Sequence, residues 1–257
     1  LATLPDDLVK RFREREIAHI PKELVKEEVE GAGEVKPIAT DWNQHAAAQK
    51  LAVANLIGSW KESNDADIAI ITQIVGEDYN SWIVDLRESL QVHDCPLSYR
   101  NGLWGFKDRL KAWQELGGRL FDNHLDTFKA AALEVLRIED PSFELSGEER
   151  YAAAIHGKVL PHSGNLREGL TAALALVGSR STSLTNCTQG KAGDIAALSV
   201  RELFKENDWV RWGSLNSLLP TLSEASPDEF LSAVENAIAS TPSPFDSLFE
   251  QEDMGVF

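Results

Sequence analysis

Apolar residues recur at helical spacing through most of the chain and switch to a two-residue period in one stretch. A first helix is expected through Ala46–Ile57, with Leu51, Ala54 and the Ile57 neighbourhood on one stripe and Gly58 at its end. A second follows Asn64-Asp65, with Ile68, Ile71 and Val75 on its stripe, and stops at Gly76, a residue free to take a left-handed cap. The third runs from about Asp78 to Gln91 with Trp82, Leu86 and Leu90 four apart. From Pro96 to Phe106 the period becomes that of strands, and Asn101-Gly102 supplies the positive φ angles of a two-residue type I′ turn. Closing a hairpin there sets Tyr99 opposite Trp104 and Leu97 opposite Phe106.

Three short helices and then a hairpin is the order of a winged helix, and an isolated hairpin is marginal in water. Trp82, Leu86, Tyr99 and Trp104 are therefore expected as packing anchors, covered by the helices that begin at Asp108. The expected organisation is short N-terminal helices and a linker over 1–40, a winged-helix-like unit over 41–107, and a helical array over 108–257. The N-terminal part holds two short helices within 1–31 and a linker from Gly31 to Pro37.

After Asp108 the expected helices carry Leu110, Trp113 and Leu116, then Leu125, Phe128, Ala132, Val135 and Leu136 up to Asp140-Pro141. Ser146-Gly147-Glu148-Glu149 reads as a capping box that opens a helix over 148–156. A helix from about Ser163 aligns Leu166, Leu170, Leu174 and Val177; residues 179–191 read as a long exposed loop, and 195–206 as helix. Pro220 is set to kink or split the helix around Leu215–Leu222. Ser226-Pro227-Asp228-Glu229 reads as a second capping box, before an apolar face of Phe230, Leu231, Val234, Ala237 and Ile238. The fold class is thus mainly α, with one hairpin followed by an irregular helical array, either HEAT/TPR-like or globular. No repeat of fixed period is present.

Charge changes the meaning of the winged helix. The net charge of the 257 residues is -16, spread along the chain. The third helix, which would read DNA, carries Glu77, Asp78, Asp85 and Glu88 against Arg87, and the wing adds Arg100 and Lys107. Phosphate binding needs the opposite balance, so nucleic acid is not an expected partner. No apolar run reaches the roughly 18 to 20 residues that span a bilayer, so no membrane role is expected. Cys95 and Cys187 lie far apart without a CxxC or Cys/His cluster, which fits a reducing, cytoplasmic setting and no metal. Because the chain starts at Leu1 and ends in Met254-Gly255-Val256-Phe257 without a stop signal, it reads as an excerpt of something longer.

Few residues suggest chemistry. Gly190-Lys191 lies in a Gly/Ser/Thr-rich loop, but a phosphate loop needs glycine where Thr185 stands and Ser or Thr where Ala192 stands. His156 and His162 lie near Ser163 without an adjacent carboxylate. His93-Asp94 is a sharper pair, since an aspartate can fix a histidine's tautomer. No catalytic residue and no resident cofactor are expected.

From about Gln49 onward the order of features resembles the region downstream of the nucleotide-binding module in large bacterial regulatory NTPases of the STAND type. The segments that carry the likeness are Pro96–Trp104, Leu166-Arg167-Glu168-Gly169-Leu170 and Leu218–Leu231. The resemblance implies a winged helix followed by a helical array. Family winged helices often carry a Met-His-Asp triplet that senses the nucleotide's phosphate. The comparable place after the wing is Phe106-Lys107-Asp108, with lysine for histidine, whereas Val92-His93-Asp94 matches the letters better but precedes the wing. His93, Asp94, Lys107 and Asp108 are thus the residues that the family's cofactor contact would fall on, and the phosphate-binding loop itself is absent from this chain. The expected function is a non-catalytic regulatory segment of a larger signalling or defence NTPase, with neighbouring domains of the parent and another protein as partners. The alternatives are a DNA-binding winged helix with a helical dimerisation domain, and a small hydrolase using His156 or His162.

Overall fold

The structure, a computed structural model, describes residues 39–252; the helices expected within 1–31, the linker to Pro37 and the segment Met254–Phe257 lie outside them. Helix α1 (Ala48–Ile57) buries Leu51, Ala52, Val53, Ala54, Asn55, Leu56 and Ile57. A helix apolar on all sides belongs in an interior. It therefore has no single stripe of the kind expected, and other elements pack around it. Strand β1 (Trp60–Lys61) follows, an element too short for any periodicity to announce. Helix α2 (Asp65–Val75) starts where Asn64 accepts a hydrogen bond from the Asp67 amide and ends at Gly76, whose φ is +71°. Its buried residues are Ile70, Ile71 and Ile74 with Asp67, so the helix is rotated from the expected stripe, and Ile68 and Val75 are only partly buried. Helix α3 (Tyr79–Ser89) is capped by Asp78 and buries Trp82, Ile83 and Leu86.

Strands β2 (Leu97–Arg100) and β3 (Leu103–Phe106) pair as expected, Tyr99 opposite Trp104 and Leu97 opposite Phe106, around Asn101 at φ 52° and Gly102 at φ 79°. β1 adds antiparallel to the other side of β3, giving the sheet order β1-β3-β2. Trp104 is 0% exposed and stacks on Trp60, ring centroids 5.6 Å apart and planes 11° from parallel.

The rest is helical: α4 (Arg109–Leu116), α5 (Asp122–Leu136), α6 (Gly164–Ser179), α7 (Lys191–Leu203), α8 (Trp209–Ser214), α9 (Leu219–Ala225), α10 (Pro227–Ala239) and α11 (Pro244–Glu252). Helix α6 packs against α9, α7, α1 and β1, while α5 lies between α7 and α2. From Thr40 on the chain forms one unit, so the division expected between 107 and 108 falls inside it. The connection differs from the one anticipated. The hairpin packs mainly on β1, and the later helices meet the first part through α1, α2 and β1.

Local expectations also shift. Ser146 does not cap a helix: its hydroxyl bonds the Glu149 carboxylate at 2.7 Å, and residues 147–152 form a 3-10 turn that does not continue as helix to His156. Ser226 makes no side-chain cap either, and the reciprocal arm of the box is missing because Glu229 is drawn to Arg201, 2.9 Å from its Nε. In α10 only Ala237 is fully buried, and Leu231 (58%) and Ile238 (65%) lie on the exposed side, since α7, α9 and α11 cover one flank only. In α4, Ala112 takes the buried place expected of Leu110. Pro220 opens α9 and thus splits the segment. Residues 179–191 are fastened: Leu184 is buried, Arg180 O accepts from Trp113 Nε1 at 3.1 Å, and the Thr188 amide donates to Asp122 at 2.8 Å.

Candidate functional site

Of the residues expected to contact a cofactor, Asp94 and Asp108 have carboxylates that hold backbone amides, and His93 and Lys107 have exposed side chains. His93 is exposed in the turn before β2. Asp94 Oδ2 accepts the Thr40 amide at 2.7 Å, and the Thr40 side chain foremost, together with that amide, holds its carboxyl below the usual range, while Oδ1 is buried without a partner. Lys107 is exposed and closes the hairpin through its amide to Pro96 O at 2.9 Å. Asp108 caps α4 by accepting the Lys111 amide at 2.9 Å. Of the packing anchors, Trp82, Leu86 and Trp104 are buried; Tyr99 is at the surface, with its hydroxyl donating to Glu62 at 2.6 Å. His156 is exposed.

His162 and Ser163 do meet a carboxylate, and it is one the periodicity of apolar residues passes over. Asp67 has no exposed surface. Its Oδ1 accepts the Ser163 amide at 2.9 Å, and its Oδ2 accepts the Lys61 amide at 3.1 Å and the Ser163 hydroxyl. Ser163 in turn caps α6, accepting the Leu166 amide at 3.1 Å. His162 Nδ1 stands 3.9 Å from Asp67 Oδ1, beyond hydrogen-bond length, and is buried without a partner. Burial lowers the His162 pKa, with Asp67 opposing. A nucleophilic serine needs a base on its hydroxyl; here that proton goes to the buried carboxylate, and the imidazole is out of line. The cluster works as a latch that joins the end of β1, the start of α2 and the N-terminus of α6.

Arg167 and Arg211 occupy core positions, and Arg109 is half-buried. Arg167, 5% exposed, donates to Val135 O at 3.1 Å and Ser214 O at 2.9 Å, and Arg211 donates to Arg137 O. Both place positive charge where α5 or α8 leaves carbonyls unpaired. Arg109 lies between α1 and α6, and burial pushes its pKa down to about 10. Glu139, Glu206 and Asp208 bring carboxylate oxygens within 4.8 Å of one another, but Glu139 faces Arg211 at 3.4 Å and Asp208 caps α8.

The outward surface is acidic around α3. Lys50 bridges Asp85 (2.8 Å) and Glu77 (3.3 Å), and Arg87 is held by Glu62. Glu88 and Asp78 stay exposed. Elsewhere the 147–160 segment exposes Tyr151 (92%) and Ile155 (86%). Among the described residues, no helix is long and apolar enough to cross a membrane. Comparison with protein-family models, with curated proteins and with solved structures finds no match.

Proposed function

We propose that residues 41–107 are a winged-helix unit turned to protein contact, and that the chain is a non-catalytic regulatory segment of the kind found beside the nucleotide-binding module of STAND-type NTPases. The element order α1-β1-α2-α3-β2-β3, with β3 central, supports the winged-helix reading. The observation that carries the rest is the charge around α3. Its one cation, Arg87, is neutralised by Glu62, and Lys50 is shared by two carboxylates, which leaves only the exposed Arg100 and Lys107 of the wing to set against this acidic helix. A face of this kind fits a partner protein, and the exposed Tyr151 and Ile155 add apolar surface for one. The partners in this reading are neighbouring domains of a longer parent and a second protein. The two free cysteines suit a cytoplasmic setting.

The test is a gel shift with random duplex DNA at low salt, where non-specific electrostatic binding is easiest to detect. No shift is expected. A micromolar shift that weakens steeply with salt would restore the DNA-binding alternative.

A further inference from the structure

Arg109 is the first residue of α4, and its guanidinium sits in a seat shaped for it. Nη2 donates to the carbonyls of Asn55 (2.9 Å) and Gly169 (3.0 Å), and Nε to Asn55 Oδ1 (3.3 Å). One glycine keeps the seat open, and a second lets α6 approach the backbone at the end of α1. Gly58 has φ +91°, and a Cβ there would stand 2.4 Å from Nη2; a Cβ at Gly169 would fall 2.7 Å from Ile57 O. Among the described residues no carboxylate pairs with this guanidinium, and its Nη1 makes no hydrogen bond. A charge withdrawn from water is costly unless it is paired, and carbonyl dipoles compensate only part of it.

The same side chain lines a cleft of about 310 Å³, together with Leu110, Ala172, Leu176, Arg180 and Glu224. The walls are thus largely apolar, with two guanidinium groups and one carboxylate. We propose that this cleft binds a small organic monoanion, its carboxylate head on Arg109 Nη1 and Arg180 and its apolar tail along Leu110, Ala172 and Leu176. Glu224 repels a second negative charge, which selects a carboxylate over the phosphate dianion. The cleft is walled by α4, α6 and α9, so its occupant would brace the first part of the unit against the later helices. This inference is independent of the protein-contact reading.

The experiment is calorimetric titration of the full chain with hexanoate, with hexanol and inorganic phosphate as controls. Hexanoate is expected to bind, with hexanol and phosphate each weaker by about tenfold or more, the loss of one charge-assisted contact or of the apolar tail. Ala172→Trp fills the cleft from its α6 wall, leaving Arg109 itself unchanged, and is expected to abolish the hexanoate heat. Arg180→Glu, at an exposed position, tests the head group without touching the core and is expected to do the same while the thermal transition is retained. Equal binding of hexanoate and hexanol, phosphate binding as tight as hexanoate, no hexanoate binding by the parent chain, or an unchanged titration in the Arg180→Glu chain would each overturn the proposal.

Discussion

Trp104 lies fully buried between Trp60 and Tyr99, the latter's ring centroid 4.5 Å away, so truncation removes two aromatic contacts and leaves a void. Trp104→Ala is expected to cost roughly 3 to 5 kcal/mol in urea unfolding; a cost near zero would mean that the sheet is not packed as described. Two glycines give a contrasting pair. A Cβ at Gly178 would stand 1.9 Å from Ala225 O, a backbone atom of α9 that cannot step aside, so Gly178→Ala should destabilise by about 1–3 kcal/mol or more. Gly193, inside α7, has nothing within 4 Å of the added atom, and Gly193→Ala should stabilise by about 0.5–1 kcal/mol. The aromatic anchors were legible because bulky residues at hairpin and helix spacing have little use but packing. The buried charges were legible in principle and missed in practice. Asp67, Ile71 and Ile74, like Arg109, Trp113 and Leu116, follow i, i+4, i+7 spacing, but a reading that counts only apolar residues skips a charged member of the stripe.

Among elements, the hairpin could be read closely because Asn101-Gly102 fixes its turn and thereby its register. β1 could not, since two residues carry no period and their pairing with β3 is set by tertiary contact. The capping boxes misled for a physical reason: Glu149 holds the Ser146 hydroxyl and amide, but the turn it closes does not continue as an α-helix, and Glu229 bonds Arg201 instead of the backbone donor it was assigned. The Asp67 latch connects three elements and carries two predictions. Asp67→Asn replaces an acceptor by a donor facing amides and a hydroxyl, and should cost about 1–3 kcal/mol. The second concerns pH. His162 lies below its ordinary 6.5 mainly through burial, with Arg167 acting in the same direction and Asp67 and Glu134 against it. The folded chain therefore binds this proton less readily than the unfolded one. Its contribution is complete above pH 6.5 and is lost as pH falls through the lower folded value. Burial depresses His124 in the same sense. Urea unfolding at about pH 7.5 and about pH 5.5 should show stability falling with acid, and less steeply in His162→Asn. Equal slopes would remove His162 from the account.

Over the whole unit from Thr40, helical content and the single hairpin could be read from the sequence, whereas the path of connection could not. Which neighbour covers the hairpin depends on β1, which was not foreseen, and on α1 being buried all round, which its alanines allow but do not announce. The functional reading rests on topology and charge pointing in different directions: the element order suits a DNA reader, while the surface around α3 does not. The measurement that separates the two is a fluorescence titration of labelled random duplex against the parent chain and a Glu77→Lys, Asp85→Lys, Glu88→Lys variant, each over a range of salt. The account predicts no binding by the parent and salt-sensitive binding by the variant, since reversing these charges supplies the missing cations on the face of the third helix. Salt-sensitive binding by the parent, unaltered in the variant, would contradict it.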